Sequence, residues 1–233
     1  MLIRDFMTPN PITIQEETSI VEASERMKEQ KIRRFPVVRG MELVGIVTDR
    51  DLRSAAPSQV ISFDNREREL MPELHEMLSR IQVKTVMSRN VITVGDGQTI
   101  VTAARRMLHY RISGMPVMGA KAAMVGIITE GDIFKALVQL AGGHLGRTLL
   151  GFILPDQPDS IKGVADVIRA HGGQLASILT SYETVSDLDL QHVYIRIRKM
   201  APDKLRALRE DLENRFSLLY IIEEEEDQGT AGS

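Results

Sequence analysis

Three residues that could hold a sugar and its phosphate occur twice in this chain. Gly45, Thr48 and Asp51 sit in GIVTDRD, and Gly126, Thr129 and Asp132 sit in GIITEGD. In each trio the glycine permits close backbone approach. A helix start offers free amides and a positive dipole end, and the hydroxyl can reach a phosphate. The carboxylate three residues on can accept from both hydroxyls of a ribose. Adenosine-type ligands would be held that way. A Thr-x-x-Asp at a helix start is also an ordinary capping box. Two equivalent copies, each after a glycine-containing strand and each with the same upstream FPV or MPV element, weigh toward the ligand.

The trios sit near the ends of two matching blocks. Met7 matches Met87, Thr13 matches Thr93, Met27 matches Met107 and Pro36 matches Pro116 at a spacing of 80, which slips to 81 for Gly45 with Gly126 and Asp51 with Asp132. One extra residue in the turn before the second glycine strand explains the slip. Each block reads as an extended lead, a helix, a hairpin and a second helix. Ser19 and Thr99 cap the first helices, and Ile20, Ala23 and Met27, echoed by Ile100, Ala103 and Met107, form an apolar stripe. Gly40 and Gly119 are expected at the hairpin turns. Two copies of one small unit imply a pseudo-twofold module with paired sites.

Composition narrows the function classes. The net charge of -3 gives no global field for nucleic acid or membrane, and 4% aromatic residues without tryptophan offer little base-stacking surface. The absence of cysteine excludes disulfides, thiolate metal sites and a cysteine nucleophile. No apolar run approaches the roughly 20 residues that cross a bilayer, and MLIRDFMTPNP lacks a signal-peptide core. A cytoplasmic protein without nucleic-acid or membrane partners is expected.

Between the blocks, LMPELHEMLSRI is expected to form an amphipathic helix with Leu70, Leu74, Met77, Leu78 and Ile81 inward, as part of a surface connector. Beyond the second block the pattern reads strand 148–154, helix 160–171, strands 176–183 and 192–198, helix 202–215 and strand 218–223. That is βαββαβ, a ferredoxin-like order. The fold class is therefore α/β in the broad sense (α+β), a pseudo-twofold module followed by a ferredoxin-like domain. Residues 226–233 read as a disordered acidic tail.

MTPNPITI, IRRFPVV and GIVTDRD, repeated as MSRNVITV, ISGMPVM and GIITEGD, resemble a tandem pair of CBS domains, with repeats at 1–58 and 81–140 around a connector at 59–80. The resemblance implies a disc whose clefts bind AMP, ADP, ATP or S-adenosylmethionine as regulatory ligands. It also implies ribose contacts from Asp51 and Asp132, with Thr48 and Thr129 beside ribose and phosphate. Gly45 and Gly126 would lie in the same sites. The segments around Thr13, Phe35 with Pro36, Thr93, and Met115 with Pro116 would flank the base. Arg33, Arg34 and Arg50 align with Ser113, Gly114 and Gly131, so phosphates should gather at the first repeat's arginines.

Residues 147–225 resemble an ACT domain, and a CBS pair followed by ACT is similar to the acetoin-utilisation family. In that family's ligand loop a glycine follows Asp-x-Pro, where this chain has Asp159, so pairing into a homodimer or higher homo-oligomer is favoured over amino-acid binding. The expected function is a non-enzymatic ligand sensor with a regulated enzyme as partner. The alternative is a structural assembly module whose clefts are empty. AGGHLGRT imitates a phosphate loop but follows a helix and has Arg147 for the lysine. The five histidines lack ligand spacing, so no metal is expected.

Overall fold

Each repeat builds the same elements for the same local reasons. In the computed structural model, which describes residues 1–55, 72–143, 145–182 and 189–224, the first repeat runs through β1 (Thr8–Pro9), β2 (Ile14–Gln15), α1 (Ile20–Glu29), β3 (Arg34–Arg39), β4 (Glu42–Thr48) and α2 (Asp49–Ala55). After α3 (Pro72–Ser79) the second runs through β5 (Val94–Gly95), α4 (Ile100–Tyr110), β6 (Gly114–Met118), β7 (Met124–Thr129) and α5 (Glu130–Leu140). Ser19 Oγ accepts the Glu22 amide at 3.1 Å and Thr99 Oγ1 accepts that of Thr102 at 3.2 Å. Each cap satisfies one donor that the first helical turn leaves open, worth about 1 kcal/mol. Ile20, Ala23, Met27 and their counterparts Ile100, Ala103 and Met107 are all buried.

The hairpins explain the register slip. Val38 pairs with Leu43 across four intervening residues, whereas Met118 pairs with Met124 across five. Gly40 turns the first hairpin at φ +63°, a conformation that costs glycine little. The second is turned by Lys121 and Ala122, both at φ +57°, while Gly119 is extended, so the glycine expected to turn this hairpin does not. Buried Glu16, beside β2, takes two bonds from Arg39 on β3, and this pairing holds its carboxyl below the ordinary range. Gly119, the residue 80 beyond Arg39, could not make that bond.

The leads are exchanged between repeats. β1, from the first repeat's lead, joins the second repeat's sheet, with Thr8 opposite Ile127 and Pro9 opposite Gly126, giving the order β1-β7-β6-β5. Ser88, from the second repeat's lead, bridges Ile46 beside the sheet β2-β3-β4 through bonds of 2.9 and 3.0 Å. The first repeat's core follows suit, taking in Val83 and Met87 with Ile14, Phe35, Val37, Val47 and Leu52. Leu78 of α3 joins it and Ile81 packs against it, while Met77 is 67% exposed because its side chain points away from that face. Leu70, the Leu74 side chain and the tail from 225 onward fall outside what can be described.

Two units divide the chain, Met1–Ile133 and Phe134–Ser233, with the boundary inside α5. The second unit comprises β8 (Thr148–Pro155), α6 (Ser160–Ala170), β9 (Leu175–Ser181), β10 (Leu190–Ile197), α7 (Pro202–Arg215) and β11 (Ser217–Glu223). Its antiparallel sheet has the order β11-β8-β10-β9, the ferredoxin-like arrangement. Val193, Ile195 and Ile197 alternate inward along β10 and meet Leu205, Leu208 and Leu212 of α7 and Val164 and Ile168 of α6. Period two on the strand and period 3.6 on the helices thus meet in one core. No helix among the described residues is long and apolar enough to cross a membrane.

Candidate functional site

Thr48 ends β4 and Asp51 lies in the first turn of α2, so their spacing puts a hydroxyl and a carboxylate together at a strand-to-helix corner. Asp51 Oδ2 accepts from the Thr48 amide at 2.8 Å and from Thr48 Oγ1 at 2.7 Å, while Thr48 Oγ1 accepts the Asp51 amide at 3.3 Å. The second repeat copies this, with Thr129 amide and Oγ1 donating to Asp132 Oδ2 at 2.9 and 2.7 Å. Both corners are therefore complete reciprocal caps. Asp132 is only 8% exposed. At the first corner both bonds land on Oδ2, which leaves Oδ1 as the oxygen available to a ligand.

The first corner opens on a cleft of 720 Å³ built by both repeats. Ile46 of β4, Ile92 of the second lead and Ile112 before β6 supply an apolar wall; Thr48 and Asp51 supply the polar corner. Arg33, Arg34, Arg50, Arg53 and Arg111 line it against the carboxylates of Asp49, Asp51 and Glu130, an excess of positive charge in a chain of net charge -3. Arg53 pairs with Asp49. Burial lowers the Arg34 pKa from its ordinary value, opposed by Glu130 and reinforced by Arg33. A half-desolvated guanidinium among like charges gains by meeting an anion.

Of the sequence-derived residues, Arg33, Arg34, Thr48, Arg50 and Asp51 come together here. Thr129 and Asp132 form the equivalent corner. Phe35 and Met115 are fully buried, and neither the ring nor the thioether lines this cleft. Pro36 and Pro116 are buried opposite Ile46 and Ile127 within the sheets. The carbonyl of Thr13 accepts from Arg26 Nη2 at 3.4 Å and that of Thr93 accepts from Arg106 Nη1, so each lead is clamped to the first helix of its own repeat. The glycines answer to methionines. A Cβ at Gly45 would stand 2.4 Å from Met87 Sδ, and one at Gly126 would stand 2.5 Å from Met7 Sδ. Their close approach serves the exchanged leads.

Sequence reading missed Ser88, Asn90 and Ile92, which the lead exchange delivers to the first repeat's corner, and also Arg53 and Arg111. Arg111 caps α4 in the left-handed conformation, at φ 54°. Its signal in the sequence was its match to Lys31, also at positive φ, at the same spacing of 80.

The CBS domain family model matches residues 3–58 and 83–139, the two arms of this exchange. A CBS domain-containing protein of Dictyostelium discoideum is 30% identical over 141 residues, spanning 60% of this chain and 93% of that protein. The chain belongs to the CBS domain family. Among solved structures, the CBS domain of a CBS domain-containing membrane protein from Sphaerobacter thermophilus is 27% identical to this CBS pair, with a TM-score of 0.50 over 58% of this chain and 86% of that one. The structure of CBSX2 in complex with AMP is 28% identical, with a TM-score of 0.47 over 59% of this chain and 96% of that one. The family match ends at residue 139, so these likenesses describe the CBS pair and leave the ferredoxin-like unit to its own geometry.

Proposed function

We propose that the protein is a cytoplasmic, non-enzymatic sensor whose CBS pair binds an adenine nucleotide and reports its state to the ferredoxin-like unit or to an enzyme partner. One observation carries this reading: a single cleft joins a carboxylate at a helix start, an isoleucine wall and five arginines. These are complementary to ribose, base and phosphate in turn. Binding would favour one arrangement of the repeats by no more than the ligand's differential affinity for it. Calorimetry on ligand-free protein should detect at least one of AMP, ADP, ATP and S-adenosylmethionine. A thermal shift should accompany it, since ligand at 100 times Kd stabilises by ~2.7 kcal/mol. Silence across the panel would leave the alternative, an assembly module in which Thr48 and Asp51 only cap a helix, an option that the completed caps support.

Residues 147–225 would act as an ACT-type pairing domain, giving the acetoin-utilisation-like arrangement of a CBS pair followed by ACT. Ile178, Leu179, Leu219 and Ile222 are exposed on its two edge strands, β9 and β11, and a sheet edge with such side chains invites a second copy. Sedimentation of the full chain at micromolar concentration should show a dimer or larger homo-oligomer. A monomer there would overturn the pairing role.

A further inference from the structure

Arg34 belongs to the first repeat, yet its guanidinium rests on the second. Nη2 donates to Ser113 Oγ at 2.8 Å. The space next to Nη1 is the space a side chain at residue 114 would need: a Cβ built on Gly114 would stand 2.1 Å from Nη1 and 2.8 Å from Cζ. Positions 33 and 34 correspond to 113 and 114 at the repeat spacing of 80, so the large pair Arg33 and Arg34 meets the small pair Ser113 and Gly114. The asymmetry is self-complementary. An arginine at 114 would collide with Arg34, and a glycine at 34 would empty this part of the cleft of charge.

The Ser113 bond uses one of the guanidinium's five donors. It pins the fork at the cleft while leaving donors for an anion, so little side-chain freedom remains to be lost when the anion arrives. Arg33 and Glu130 stand on the same wall, and Glu130 cancels only part of the positive charge. A triphosphate brings several negative oxygens to this wall. S-Adenosylmethionine brings a sulfonium and an ammonium against one carboxylate.

We infer that Arg34, seated on the other repeat through Gly114 and Ser113, sets the charge of the ligand: the cleft takes adenosyl ligands that carry phosphate and discriminates against those that carry a sulfonium. This deepens the nucleotide reading and rests on it. The test is calorimetry of the full chain with adenosine, ATP and S-adenosylmethionine, on the parent, Arg34→Gln, Arg34→Lys and Gly114→Ala. Circular dichroism serves as the folding control. The parent should prefer ATP to adenosine, and adenosine to S-adenosylmethionine. Arg34→Gln should reduce the ATP-to-adenosine affinity ratio about tenfold or more, the effect of losing one charge-assisted bond. Gly114→Ala keeps every charge but displaces the guanidinium, and it should reduce the same ratio. If it does not fold, Arg34→Lys, which keeps the charge on a shorter donor without the fork, takes its place and should also reduce the ratio. An unchanged ratio in the variants, or a parent that binds S-adenosylmethionine as tightly as ATP, overturns the inference and leaves the nucleotide reading standing. Failure of the parent to bind these three ligands and also AMP and ADP overturns both.

Discussion

Asp51→Asn should leave the start of α2 intact and still lower adenine-nucleotide affinity about tenfold or more. Thr48 is the capping residue of α2, and Asp51, the third residue of the helix, reaches back to its amide as the other half of a capping box, a role that an amide side chain can also fill. The asparagine carbonyl can accept both bonds that Asp51 Oδ2 now takes from Thr48, so its amide nitrogen, a donor, would then face the ribose hydroxyls. Asp51→Ala removes cap and ligand contact together. It should cost about 1 to 3 kcal/mol of stability, since the Thr48 amide and hydroxyl lose the carboxylate that accepts from them. Two lost charge-assisted bonds at ~1.5 kcal/mol or more each amount to about a hundredfold loss of affinity. Calorimetry and urea unfolding on the same samples separate the two effects. If Asp51→Asn binds nucleotide as tightly as the parent, Asp51 is a cap and nothing more.

Phe35→Ala should destabilise the first unit by about 3 to 5 kcal/mol, the range for emptying a phenylalanine site that the surrounding core only partly refills. Phe35 is 0% exposed, packs with the Ile14, Val37 and Leu52 cluster, and lies under the Arg26 guanidinium at 5.6 Å. Such a loss is a large fraction of the ~5 to 15 kcal/mol that holds a domain together. Phe35→Leu keeps most of the apolar volume and should lose less. It should also bind nucleotide as the parent does, because the ring does not line the cleft. Denaturant unfolding of the first unit measures the stability changes. Loss of nucleotide affinity in a Phe35→Leu protein of unchanged stability would return this ring to the ligand.

Local chemistry made much of this protein readable from its sequence. Apolar residues at helical spacing marked α1 and α4, Ser19 and Thr99 marked their starts, and the 80-residue spacing declared two equivalent units. The Thr48–Asp51 and Thr129–Asp132 corners needed only three residues of separation, so their geometry was legible too. The alternation along β10 likewise announced a sheet with one face under helices.

Which partner each segment meets was settled only by tertiary structure. Apolar periodicity says that Phe35, Met87 and Ile92 prefer to leave water, but it does not say against what. Because the leads are exchanged, Met87 packs against Gly45 and Ile92 reaches the corner formed by Thr48 and Asp51, while Thr13 and Thr93 are clamped to their own helices. Gly45 and Gly126, expected beside the ligand, each stand against a methionine of an exchanged lead, a neighbour that the sequence did not announce. Arg34 shows the same division: its type and spacing were visible beside Ser113 and Gly114, but only folding brings those aligned positions together and turns a sequence difference between repeats into one shared wall of the cleft.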